Sequence, residues 1–350
     1  MTRNRALLAL AVVVALASSA LGGCGGREAA GSAASAGAGS DKRFDLSGTT
    51  IRVGTSQEQT LGLGFSYALE TLQGWGARVE RENLTNVSGL EAIVAKRIDI
   101  AARSSDELIT GVSKGVDVQA IGATVSTMHY AFIAHSDIGD LAALRGKQIA
   151  ISAPGGFDTL LIRALLRRQG LDPDRDTALV PIGGSSERAA ALLANQVSAA
   201  VVFMDNWFAL RRQSQELRLV GFMEELLPGL SAQAIFAERG YLERNPQLAT
   251  AIACANLEAN RWIATNREAF IRFATERVRG ANRDAVAEFY DAAARVGLYP
   301  TDPDRVLTIS SYQATAKLML EQGEISGPVD AARVVNTSYL REASARGCGA

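Results

Sequence analysis

Residues 144–201 read LRGKQIAISAPGGFDTLLIRALLRRQGLDPDRDTALVPIGGSSERAAALLANQVSAAV. An apolar run at 148–152 is followed by the breaker Pro154-Gly155-Gly156. A helical pattern then covers 157–169, and a strand pattern covers 178–182. Gly183-Gly184-Ser185-Ser186 opens a second helix over 185–195, and the apolar strand 198–203 closes the unit. Short apolar strands alternating with helices of this length predict βαβ units and mostly parallel sheets covered on both faces. The chain is therefore expected to be an α/β protein.

The same alternation extends outward. Upstream, strands are predicted at 51–55, 77–81, 98–102, 117–125 and 129–135, with helices at about 60–73, 88–97 and 105–114. Downstream come a helix at 205–213 and strands at 217–222 and 231–237. The rest is expected to be helical, over 246–277, 282–296, 303–322 and 329–345, with Pro246, Pro300 and Pro303 near helix starts. Two βαβ blocks imply two α/β lobes, with the strand at 231–237 able to return the chain to the first.

The length of 350 residues is enough for two such cores. Charged residues make up 21% of the chain and the formal net charge is −1, with no basic stripe. This argues against a nucleic-acid partner and for a small ligand.

Residues 1–24 carry Arg3 and Arg5, an uncharged apolar run over 6–20, and then Leu21-Gly22-Gly23-Cys24. The run is shorter than a membrane span, and the layout is that of an export signal. The Leu-Gly-Gly-Cys ending resembles the lipobox of bacterial lipoproteins. That resemblance implies a signal peptide over 1–23 and a Cys24 that is lipidated and anchors the chain outside the cytoplasm. Residues 24–47 then form the lipidated cysteine and a Gly/Ala/Ser-rich tether.

Enzyme signatures are sparse. There is no G-x-S-x-G elbow, H-E-x-x-H helix or P-loop. His129 and His135, six residues apart along a strand, would lie about 20 Å apart and cannot share an ion. No metal site and no cofactor are expected. Cys254 reads as a small core residue; a disulfide to Cys348 is permitted outside the cytoplasm but is left open by the sequence.

Polar and glycine residues collect just after the strands. Ser56 and Gln57 follow 51–55, and Ser88 precedes a helix. Arg103 and Ser104 follow 98–102, and Gly155, Gly156 and Phe157 follow 148–152. Gly184 and Ser185 follow 178–182, and Asp205 follows 198–203. Ligands of open α/β sheets bind at the carboxyl ends of strands, where helix N-termini offer free N–H groups. These residues are therefore the candidate ligand contacts. Each is equally readable as a helix cap or turn residue. Arg103 is the one candidate cation of the set. With the hydroxyl and N–H donors it favours a small organic anion or zwitterion.

The 144–201 stretch resembles the second lobe of substrate-binding proteins for nitrate, sulfonate, taurine and thiamine precursors. It shares their L-x-G-K strand, Gly-rich loop, G-L-D-P helix end and aliphatic helix. Ala95-Lys96-Arg97-Ile98-Asp99-Ile100-Ala101 resembles the family's A-x-G-x-I-D-I-A turn, with Lys96-Arg97 where glycine is common. Asn245-Pro246-Gln247 and Trp262 resemble its N-P-E…W helix. At Phe203-Met204-Asp205-Asn206 the chain departs from a family that often has proline there.

The resemblance implies a type II periplasmic-binding-protein fold: two Rossmann-like lobes joined by a hinge, with a helical C-terminal region. Lobe 1 would comprise 48–138 plus 232–350 and lobe 2 would comprise 139–231, with crossovers near 135–140 and 222–232. It further implies a non-enzymatic monomer that delivers a small solute to an ABC transporter permease. The alternatives are binding of a thiamine-type pyrimidine or other heterocycle, a solute sensor, and a pyrimidine-forming enzyme.

Overall fold

The computed structural model describes residues 43–55, 58–84 and 87–350. Cys24, the signal segment, most of the tether, Ser56 and Gln57 lie outside the described residues.

Among the described residues, ten strands form two five-stranded sheets. They are β1 (Thr50–Thr55), β2 (Arg78–Asn83), β3 (Ile100–Ser104), β4 (Val118–Gly122), β5 (Tyr130–His135), β6 (Gln148–Ile151), β7 (Ala178–Pro181), β8 (Ala199–Phe203), β9 (Leu217–Phe222) and β10 (Gln233–Glu238). The first sheet has the order β2-β1-β3-β10-β4 and the second β7-β6-β8-β5-β9. In each, four strands run in one direction and the strand in the fourth place is antiparallel to both neighbours: β10, the last strand of the chain, in the first sheet and β5, the earliest of its sheet, in the second. The two sheets thus repeat one pattern and exchange one strand position at the same place.

Burial explains the central strands. All five residues of β4, and the first five of β5, are buried, as expected for apolar strands covered on both faces. Helices follow the parallel strands, as Phe157–Arg168 follows β6 and Ser185–Leu193 follows β7. Lys96 stands where family glycines are common, and its backbone is left-handed at φ +59°, a conformation glycine takes without strain.

One boundary differs from expectation. The strand at 130–135 pairs with β8 and β9, so it belongs to the second sheet. The first crossover therefore lies at 123–129, not at 135–140. The reason is non-local. β4 and β5 are both apolar and separated by a short polar stretch, and only pairing partners far along the chain distinguish their sheets. The second crossover, between Phe222 and Gln233, falls where it was expected. β10 returns the chain to the first sheet.

The crossovers are bonded to each other. Gln233 N–H donates to Val125 O at 3.3 Å, and Met128 N–H donates to Glu224 Oε2 at 2.9 Å. Asn256, from the long Pro246–Thr265 helix, holds the chain leaving β4 through both backbone groups of Ala123, at 3.0 and 2.9 Å.

That helix is buried along most of its length against Leu63–Gly74 and Ser338–Ala345. Cys254 at its centre forms a disulfide with Cys348, with Cα atoms 5.2 Å apart. The C-terminal tail is thereby tied to the core of the first lobe. The Arg283–Arg295 helix packs against Met204–Leu210 of the second lobe, where Arg212 meets Glu288 at 2.8 Å.

Candidate functional site

A cleft lies between the first sheet and Phe203 at the end of β8 in the second. The first lobe lines it with Thr55, Glu58, Gln59, Phe65, Ser66, Arg81 and Gln233, the second with Phe203, and the first crossover with Thr124. A second hollow shares Glu58 and Gln59 and extends to Thr60, Ser186, Asp205, Asn206, Arg279 and Asn282. The carboxyl ends of β1, β3 and β8 all feed this region, as the strand-end rule requires.

Aromatic rings close its inner end. Phe203 lies 5.2 Å from His129 and 5.3 Å from Tyr130, between ring centroids. His129 is fully buried, faces Gln233 Nε2 at 3.3 Å, and is pushed down to about 3 by burial, so it is a neutral ring. Burial raises the Tyr130 phenol well above its usual range, with Asp158 adding to the effect. Neither group is a charge for a solute. His135 sits at the far end of β5 against Leu192 O at 3.1 Å.

The expected contacts separate into two kinds. Most are occupied by local structure. Ser88 caps the Gly89–Val94 helix, accepting from Glu91 N–H at 3.2 Å and donating to Glu107 at 2.7 Å. Arg103 donates to Glu107 Oε2 at 3.1 Å, so its charge is met within its own lobe. Ser104 is the N-cap residue of Ser105–Ser113, without a side-chain cap bond.

In the second lobe, Gly156 caps Phe157–Arg168, and a Cβ there would stand 2.0 Å from Ser152 Oγ, so no larger residue fits. Gly155 faces open space, and Phe157 is buried in the core. Gly184 caps Ser185–Leu193, and Gly183 before it needs φ +100°. Buried Ser185 donates to Asn206 Oδ1 at 2.5 Å and accepts from Phe203 N–H at 2.6 Å, a brace that sets the Phe203 backbone.

Asp158, at the same strand ends, forms a buried ion pair with Arg188 at 3.7 Å, both side chains 3% exposed. Arg188 also donates to Val201 O at 2.7 Å and to Gly183 O.

Asp205 is of the second kind. It projects from the first turn of Met204–Leu210 in the second lobe, accepts from Asn206 N–H at 3.1 Å, and lies near the backbone N–H groups of Thr60 and Leu61 in the first. Loss of water on burial, the largest effect, raises its carboxyl to about 6, against the lowering pull of those N–H groups.

Several lining residues escaped the sequence reading. Glu58 and Gln59 directly continue the Ser56-Gln57 loop and were within reach of the same strand-end argument. Gln233 opens the inserted strand β10 and Arg81 lies on an edge strand, and no local signal marks either. Glu58 accepts from Ser66 Oγ at 2.5 Å and lies 3.7 Å from Arg277. Gln59 Oε1 is buried without a partner among the described residues. Among the described residues, Cys254, Glu258 and Cys348 form a group close enough to hold a metal, but its two sulfurs are joined in the disulfide. No described helix is long and apolar enough to cross a membrane.

A family model described as NMT1/THI5 like matches residues 79–269, more than half of the chain. No curated protein sequence matches it. Among solved structures, the chain is similar to the ligand-binding component of an ABC-type import system from Staphylococcus aureus, solved with zinc bound. Identity is 14% and the TM-score 0.69, covering 84% of this chain and 99% of that one. It is also similar to the periplasmic aliphatic sulphonate binding protein SsuA from Escherichia coli, at 19% identity and TM-score 0.65, covering 82% and 92%. The periplasmic nitrate-binding protein NrtA from Synechocystis PCC 6803 gives 16% identity and TM-score 0.69, covering 85% and 88%. These likenesses establish a shared periplasmic-binding-protein fold.

Proposed function

The chain belongs to the NMT1/THI5-like family, and from that premise we propose that it captures a small organic solute outside the cytoplasm and delivers it to the permease of an ABC importer. The observation that carries this reading is the cleft itself. Two sheets of matching topology face each other across it, joined by two crossovers, and both lobes and a crossover line it. A solute bound there contacts both lobes, and its differential affinity for the closed arrangement drives closure.

The lining favours a zwitterion over a simple anion. The expected cation, Arg103, is paired with Glu107, whereas the cleft carries both a carboxylate, Glu58, and a guanidinium, Arg81. Phe65, Leu61, Leu69 and Phe203 provide room for an apolar body between them. A neutral heterocycle stacked on Phe203 is the second reading, supported by the ring cluster behind it. Catalysis is disfavoured by the place of the two histidines, one sealed in the hinge and the other at the far end of its strand. We place the chain at the membrane as a monomer held by lipidated Cys24; the tether ends before residue 43 rather than at 47, because Phe44 and Leu46 are buried in the first lobe and Leu46 N–H donates to Trp75 O at 2.8 Å.

A thermal-shift panel of amino-sulfonates, nitrate, small carboxylates, pyrimidines and flavins tests the ligand class. ATPase stimulation in the cognate importer tests delivery. Stabilisation by amino-sulfonates together with stimulated ATPase is the expected result. Tight solute binding without any effect on the importer would replace delivery by sensing.

A further inference from the structure

Cys254 and Glu258 stand four residues apart on the Pro246–Thr265 helix and so share one face of it. Cys348 reaches that face from the C-terminal tail. The two sulfurs and a carboxylate oxygen of Glu258 all lie within 4.8 Å of one another. Both cysteines are buried, whereas the Glu258 side chain is 28% exposed, so one edge of the cluster meets solvent.

The surroundings fix both the carboxylate and the tail. Glu258 Oε1 accepts from Arg43 Nη1 at 2.9 Å and from Gly349 N–H at 3.1 Å, which leaves Oε2 for a further partner. Arg43 also donates to Gly347 O, and Arg261 donates to Gly349 O at 3.3 Å. Gly349 approaches the helix so closely that a Cβ would stand 3.0 Å from Leu257 Cβ. Gly347 and Gly349 take φ of +80° and +72°, so Cys348 sits between two positions that only glycine occupies without strain.

We propose that Cys254, Cys348 and Glu258 form a zinc site when the disulfide is reduced, so that a metal ion replaces the covalent bond as the staple between tail and core. A dithiol reductant supplies the two electrons. One of its thiolates attacks a cysteine sulfur, breaks the S–S bond and releases the other cysteine. Its second thiol then displaces the first cysteine, and the reductant leaves as a disulfide. Zinc binds the two resulting thiols as thiolates, and their two protons pass to water.

The donor set selects the ion. Two thiolates beside one carboxylate suit zinc, whereas magnesium and calcium take oxygen ligands. The three negative charges exceed those of the ion by one, and the Arg43 guanidinium offsets the excess while orienting the carboxylate. Tetrahedral ligation at about 2.3 Å per sulfur sets the sulfurs about 3.8 Å apart, a shift that the glycines beside Cys348 absorb. Water on the exposed side of Glu258 completes the fourth position. None of the three residues lines the cleft, so the site is independent of solute capture.

The test uses the full chain and zinc alone. A phosphine opens the disulfide without taking the metal, native mass spectrometry counts bound zinc, and calorimetry gives its affinity. The reduced wild type is expected to hold a single zinc and the oxidised wild type none. Cobalt in its place is expected to show thiolate charge-transfer absorption and the strong visible bands of a tetrahedral ion. Zinc is also expected to raise the melting temperature of the reduced chain toward that of the oxidised one. Glu258→Gln keeps the disulfide, so it is purified oxidised and reduced afterwards; it is expected to bind zinc about tenfold more weakly or worse. Cys348→Ser, which retains Cys24 and Cys254, is expected to lose the site. A reduced wild type that takes no zinc, or that zinc does not stabilise, overturns the proposal. So does wild-type affinity in Glu258→Gln or in Cys348→Ser.

Discussion

Glu224 accepts the backbone N–H of Met128 at 2.9 Å, so the second crossover between the lobes is bonded directly to the first. Its other oxygen faces Gly229 N–H at 3.5 Å, and burial raises its carboxyl above the ordinary range. The hinge is therefore a pair of connecting segments bridged by a side chain from the short Met223–Leu226 helix. Glu224→Ala leaves the Met128 N–H without its acceptor and is expected to lower stability by about 1–3 kcal/mol in denaturant titrations. Glu224→Gln, which retains an acceptor, is expected to lose less. Equal losses in the two variants would show that the bond to Met128 contributes nothing.

The buried Asp158–Arg188 pair holds the second-lobe loops to β8. Removing one partner strands the other charge in the interior. Arg188→Met is expected to destabilise by about 3–5 kcal/mol, and the Asp158→Asn, Arg188→Met double variant by clearly less than the sum of the singles. Additive losses in urea unfolding would show that the pair acts as two independent residues.

The Cys254–Cys348 disulfide spans 94 residues. Replacing both cysteines by alanine is expected to lower stability by about 2–5 kcal/mol. Solute affinity should be unchanged, since the bond lies within the first lobe and away from the cleft lining. An unchanged melting temperature would show that the tail is held without it.

Arg81 and Arg103 distinguish where a solute's negative end is met. Arg81 lines the cleft, while Arg103 is paired with Glu107. In calorimetric titration with an amino-sulfonate that stabilises the wild type, Arg81→Ala is expected to weaken binding about tenfold, equivalent to about 1.4 kcal/mol. Arg103→Ala is expected to change it much less. The reverse order would restore Arg103 as the ligand cation.

Cys24→Ser is expected to release the chain from membranes or leave it unprocessed, read by fractionation and metabolic labelling with a fatty acid. A variant that remains acylated and membrane-bound would remove the anchor assignment.

The alternation of strands and helices was legible because it depends on local periodicity. Apolar runs such as SAAVVF and QIAIS, bounded by glycine, proline and serine, carry their own evidence. The sheet to which β5 belongs was not legible. Its sequence is as apolar as that of β4, and its place rests on pairing with β8 and β9, which lie some 65 and 85 residues further along. The site divides in the same way. Ser88, Ser104, Gly156 and Gly184 stand out because a helix N-terminus has a recognisable composition, but the property that marks them is their cap position, which in Ser88 occupies the hydroxyl itself. Local sequence likewise marks Asp205 as a first-turn acid. Only the packing of one lobe against the other places it near Thr60 and Leu61, because the approach of elements some 140 residues apart depends on how the lobes pack and not on the residues beside it in the chain.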